Sequence, residues 1–191
     1  MKNTDTDSQW ILVDMINPDQ FGVLSIGSVN FSGASLRKNL NALARELLLE
    51  RTRKVHSSGA LNSETVEVHG ISYDVRVEPV LSPTSRTVLA ALAIYVPSGS
   101  PLPERPVVGA IEWEIREGGR RIETAWNDAM FALYGLRRSG MGGAGDFTTW
   151  VNQLIAPEDR ARMKVIITGG ISAPDSQRHL VAYRILTGDG Q

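Results

Sequence analysis

Seven residues are best placed to bind something: Trp113, Trp126, Asn127, Phe131, Tyr134, Trp150 and Tyr183. All lie in the second half of the 191-residue chain. Flat rings stack on a planar ligand, and a carboxamide among them would fix its orientation. The same rings also serve to fill an ordinary core, so spacing alone leaves both uses open.

Other groupings are weaker. Gly140-Met141-Gly142-Gly143-Ala144-Gly145 fits the glycine pattern of dinucleotide sites. That chemistry needs a strand before the loop and a helix after it, so that amides meet the pyrophosphate. Here a helical pattern precedes it and Asp146-Phe147-Thr148 follows, so it reads as a loop that could gate a pocket. Ser35-Leu36-Arg37-Lys38 has the Ser-x-x-Lys spacing of acylating enzymes without their other motifs. It reads better as a helix start. His56, His69 and His179 have no metal-ligand spacing. Haem ligation by His179 is conceivable beside Tyr183. Glu158 and Asp159 project about 100° apart on a helix, so they share no site and suit its positive end. Glu112 and Glu114 share the wet face of a strand. No convergent nucleophile and base emerge, so an enzyme is not expected.

Composition sets outer limits. With Cys 0, these residues hold no disulfide, thiolate zinc site, iron–sulfur cluster or cysteine nucleophile. A flavin–cysteine adduct is excluded too, though non-covalent flavin is not. At 42% apolar and 21% charged the chain can bury a core. A net charge of -1, from 20 basic and 21 acidic side chains, lacks the signature of a nucleic-acid binder. The start is polar and acidic, with no signal-peptide pattern and no run of ~20 apolar residues. A cytoplasmic protein with no nucleic-acid or membrane partner is expected.

The elements that must position these residues fall in two halves. Residues 97–106 hold four prolines and read as a semi-rigid linker between domains at 1–96 and 107–191. In the first, residues 10–16 and 22–29 read as strands around the turn residues Asn17-Pro18-Asp19. A helix over 35–54 follows, capped by Ser35, with Leu36, Leu40, Leu43, Leu47 and Leu48 as its apolar stripe. Residues 65–69, 71–78 and 87–96 then alternate as strands, the last apolar enough to be covered on both faces. The fold class expected is α+β, with antiparallel sheets and helices on one face.

The second half opens with strands over 107–115 and 121–126 around Glu117-Gly118-Gly119. Asn127 can cap a helix reaching about residue 136. A short segment over 147–155 precedes a helix opened by Pro157. A strand over 179–187 ends in Gly188-Asp189-Gly190. Asp-Gly after a strand signals a hairpin, yet no return strand follows. The expectation is a truncated domain, or a last strand paired with another chain, which makes a homodimer plausible.

This second half resembles a PAS domain. The likeness rests, in order, on Ile111-Glu112-Trp113, the stretch from Trp126-Asn127 to Tyr134-Gly135, Trp150 with Ile155-Ala156-Pro157-Glu158-Asp159-Arg160, and Tyr183-Arg184-Ile185 before Asp189-Gly190. It spans about residues 107–191 and lacks the family's last two strands. The first half shows a similar element order and resembles a PAS-like or GAF-like domain. The whole chain is similar to the N-terminal part of actinobacterial regulatory proteins that join such domains. The resemblance implies a non-enzymatic sensory or regulatory module of signal transduction. A small ligand, of a kind the sequence does not specify, or a partner or output domain would bind it and shift dimer packing. The alternative is a ligand-free interaction scaffold of the same fold.

Overall fold

The computed structural model describes residues 6–116, 121–137, 147–171 and 183–186. The expected turn at 117–119, the glycine loop at 140–145, His179 and the Gly188-Asp189-Gly190 end lie outside the described residues. The chain divides into two compact units. One comprises Met1–Leu81 with Arg86–Pro106, the other Ser82–Ser85 with Val107–Gln191. The architecture is α+β, with antiparallel sheets and a few helices.

The first unit is built on one six-stranded sheet. Its strands are β1 (Ile11–Asp14), β2 (Gly22–Ile26), β3 (Val29–Ser35), β4 (Asn62–Val68), β5 (Ile71–Leu81) and β6 (Val88–Pro97). The spatial order is β3-β2-β1-β6-β5-β4, antiparallel throughout. Two tight turns set the register of the outer hairpins. Gly27 (φ 53) opens the two-residue turn from β2 to β3, with Ile26 opposite Val29. His69 and Gly70, both at positive φ, turn β4 into β5 with Val68 opposite Ile71. Such mirror-image turns match the strand twist.

Three expectations from sequence need correction here. Residues 22–29 are not one strand: the chain turns at Gly27 and returns as β3. The polar residues of Val29-Asn30-Phe31-Ser32-Gly33 hide that strand, although its alternation suits an edge. The helix over 35–54 is two helices, α1 (Leu36–Asn39) and α2 (Ala42–Ser58). Leu40 is extended between them (φ -84, ψ 142). The cap is Asn41, whose side-chain oxygen accepts from Ala44 N at 2.7 Å, whereas Ser35 makes no side-chain cap bond. Ser35 does hold the N-cap position of α1, but without a side-chain bond, whereas the Asn41 amide at α2 also donates to Thr6 Oγ1 (2.9 Å), fixing both ends of its side chain.

Helix α2 packs on β4, β5 and β6. Ala44, Leu47, Leu48 and Val55 meet Val75, Val77, Ala91, Ala93 and Tyr95 in one core. Thr52 is buried within that stripe and satisfies its hydroxyl on Leu48 O (2.7 Å). Gly59 closes the helix in the left-handed conformation (φ 65). On the far face of β6, Leu92, Ile94 and Val96 are also buried.

The proline-rich segment is fastened to this unit. Trp10 Nε1 donates to Pro103 O (3.2 Å), and Arg105 Nε pairs with Glu78 (2.6 Å). Trp10 precedes β1 and Glu78 lies on β5, on either side of β6. Residues 103–105 therefore cross the outer face of β6. Among the described residues, no helix is long and apolar enough to cross a membrane.

The second unit contains β7 (Ile111–Arg116), β8 (Arg121–Trp126), α3 (Asp128–Leu133), α4 (Phe147–Leu154) and α5 (Pro157–Ile171). The expected strand at 107–115 begins only at Ile111, because Val107 lacks a partner strand. The segment at 147–155 is mainly helix α4. Of the expected strand at 179–187, residues 183–186 are described, and Ile185 bridges Ile155.

Replacing Asn41 by Ala should lower stability by about 1 kcal/mol, the usual cost of losing an N-cap. Replacing Ser35 by Ala should change it by less than ~0.5 kcal/mol. Urea unfolding followed by circular dichroism measures both.

Candidate functional site

Register places the aromatic residues. Ile111 stands opposite Trp126 and Trp113 opposite Thr124. Side chains two apart on a strand share a face, so these four face one way. Helix α3 adds Met130, Phe131 and Tyr134, and α4 adds Trp150. Tyr183 packs against the same cluster. Six of the seven singled-out residues thus share one core, and Asn127 borders it.

The rings touch continuously. Trp126 stacks on Tyr134 (centroids 5.1 Å, planes 29° apart) and meets Phe131 at 5.5 Å. It meets Trp150 edge-on at 6.4 Å, and Trp150 meets Trp113 at 6.0 Å and Tyr183 at 6.4 Å. Edge-on and offset contacts suit the ring quadrupole.

Polar atoms inside this cluster are treated unequally. Trp150 Nε1 donates to the Tyr134 hydroxyl (2.9 Å), which lies 3.3 Å from the Tyr183 hydroxyl. Burial, and then the Tyr183 hydroxyl, push the Tyr134 phenol above its usual range. At neutral pH it keeps its proton and is a poor general base. By contrast, Trp126 Nε1 and Thr124 Oγ1 are buried without a partner.

Asn127 does structural work. Its side-chain oxygen accepts from Met130 N, capping α3, and from Ala110 N, both at 3.0 Å. Its backbone N–H donates to Ala110 O (3.1 Å). Only the NH2 end of the carboxamide is left to face a ligand.

The opposite face of the hairpin holds a group that spacing does not reveal. One Glu112 carboxylate oxygen accepts from the Ser82 and Thr84 hydroxyls and from the amides of Thr84 (3.1 Å) and Ser85 (3.4 Å). These bonds, those from Ser82 and Thr84 first, hold its pKa down at about 2. Glu114 stands directly opposite Glu123 on this face. A recess of about 370 Å³ lies there, lined by Thr84, Glu112, Glu114 and Glu123 among others. Ser82-Pro83-Thr84-Ser85 reads as a turn in sequence, but its partner lies 27 residues or more away and carries no periodic signal.

Asp159 does more than complement a helix dipole. It is buried to 7% exposure. Its carboxylate accepts from Arg184 N (2.9 Å), Arg184 Nε (3.0 Å) and Arg162 (2.9 Å). The side-chain bond from Arg184 chiefly lowers its pKa. Ala156 N to Arg184 O (3.0 Å) and Leu186 N to Leu154 O (2.9 Å) complete the join. Asp159 thereby positions Tyr183. Among the described residues, no group of three or more His, Asp or Glu could hold a metal.

No family model and no curated protein matches this chain. A solved structure shares the fold of much of this chain. It is an uncharacterized protein from Mycobacterium tuberculosis, similar at 17% identity and TM-score 0.58, over 70% of this chain and 40% of that one. This chain therefore spans less than half of that protein. A fungal LOV-domain photoreceptor matches at 13% identity and TM-score 0.31, over 51% of this chain and 78% of that one. The likeness at 17% identity is one of fold alone.

The Glu112 clasp has a pH signature. Folding lowers the pKa from 4.5 to about 2. Its stabilisation is full above the unfolded value and is lost as pH falls through that window. In Glu112→Gln, the drop in urea midpoint between those pH values should be shallower than in the parent. Matching slopes would show that the carboxylate's charge contributes nothing.

Proposed function

We propose that this chain is a non-enzymatic sensory or regulatory module whose second unit is PAS-like. A small planar ligand with a hydrogen-bond acceptor binds at the Trp126 face of the aromatic cluster. Binding changes packing toward a second copy or a following output domain. The observation that carries this reading is the buried, unpartnered Trp126 Nε1, with Thr124 Oγ1 two residues away on the same strand face. A buried donor left unmade costs ~1–3 kcal/mol, and a ligand acceptor would recover it. The surrounding rings supply stacking surface but no nucleophile–base pair. The ordered resemblance from Trp113 to Tyr183 supports the PAS reading independently.

Native mass spectrometry and an absorbance spectrum of freshly purified protein test it. Extra mass on the folded chain, lost on denaturation, is the expected result, and a visible band would indicate flavin or haem. Trp126→Phe keeps a ring and removes the N–H, so it should lose that mass while staying folded. A clean parent mass would favour the ligand-free scaffold. Retention of the mass in Trp126→Phe would overturn the assignment of the donor. The same spectra report whether the chain is a dimer.

A further inference from the structure

A different recess lies in the first unit, where α2 ends beside β1 and the start of β6. Its volume is about 550 Å³, and Ile16, His56, Ser58, Gly59, Arg86 and Val88 are among its lining residues. That lies in the ~300–1,000 Å³ range of small-molecule sites.

Its chemistry is two-signed. Arg86 supplies positive charge and His56 a ring nitrogen that can hydrogen-bond, and among the described lining residues none is acidic. Gly59 N takes the Val55 carbonyl (2.9 Å), and the carbonyls of His56, Ser57 and Ser58 beyond it have no intrahelical partner and form the negative end of the helix dipole. A simple anion would be drawn to Arg86 and repelled by the helix end. A simple cation would meet the reverse. A molecule carrying both charges satisfies both. Ser58 Oγ accepts from Ala60 N (3.2 Å), so its proton is free to donate. Ile16 stands 66% exposed at the rim, next to the fully buried Met15. It offers apolar surface that water must otherwise cover.

Arg86 adds an independent observation. Its backbone sits at φ 60, the left-handed region that disfavours a side chain. Glycine would hold that turn without strain. Among the described residues, no hydrogen bond or ion pair engages its guanidinium. A strained position occupied by an unengaged charge points to a role outside folding.

We propose that this recess binds a small zwitterion bearing an apolar group, the chemistry of an apolar α-amino acid. The carboxylate meets Arg86 and His56, the ammonium meets the terminal carbonyls of α2, and the apolar group lies against Ile16 and Val88. The assignment does not depend on the aromatic cluster.

Isothermal titration calorimetry of the full chain with L-leucine tests it. 4-Methylpentanoate, which lacks the ammonium, and 3-methylbutylamine, which lacks the carboxylate, are the matched probes. Leucine should bind, and each analogue should be at least ~10-fold weaker. Arg86→Gly should abolish leucine binding while its melting temperature stays equal or rises, because the strain is relieved. Absence of leucine binding, equal binding of either analogue, or unchanged binding in Arg86→Gly would each overturn the proposal. Retained mass at the Trp126 site would be unaffected by any of these outcomes.

Discussion

Four residue pairs between β1 and β6 make the first unit one sheet rather than two. They run from Ile11 opposite Ala93 to Asp14 opposite Ala90. The chain's early strands β1, β2 and β3 reach its later strands β4, β5 and β6 only through this ladder. The constraint falls on β6, which is paired along both edges and buried on both faces. Ala91 and Ala93 face α2, and their small side chains leave room for Leu47 and Leu48. A bulkier residue at either position would force the helix outward, and close packing resists that.

The end of β6 is then used twice. Tyr95 extends its hydroxyl to Thr6 (2.9 Å) and Asp7 (2.5 Å), and Thr6 in turn accepts from the Asn41 cap. Burial, followed by the Asp7 bond, raises that phenol to about 12. It stays protonated and donating across the physiological range. One buried network therefore ties the entering chain to the start of α2, while the proline-rich segment crosses the other face of the same strand. Prolines suit that crossing: they offer no N–H that would need a partner there.

Most elements that are periodic in sequence are found in the structure, although the leucine period that starts at Leu36 runs across the break at Leu40. The alternation of β5, the apolar run of β6 and the leucine stripe of α2 were all readable, as was Asn127 as a helix cap. What sequence conceals is set by partners far along the chain. Asn41 caps α2 partly because Thr6 holds its other end. Ser35, with equal intrinsic capping ability, has no such support. Strand β3 is polar enough to pass for a loop, and its sheet edge gives it nothing to bury on one side. Glu112 reads as an ordinary wet-face carboxylate until a turn 27 residues away closes over it. The aromatic residues of the second unit were legible as a group, but not which of their polar atoms would be satisfied.

That last distinction divides the polar atoms of the cluster into satisfied and unsatisfied ones. The second unit is able to satisfy buried polar groups. Trp150 finds Tyr134, Tyr134 approaches Tyr183, Asn127 spends its oxygen on two backbone amides, and Asp159 collects three donors. Against that standard the bare Nε1 of Trp126, like Thr124 Oγ1, carries a cost. Phenylalanine would fill much of the same space, stack on Tyr134 and leave nothing unmade. A buried indole N–H without a partner calls for an explanation, and the proposed ligand acceptor rests on it. Thr124 Oγ1 is likewise unpartnered on the same face.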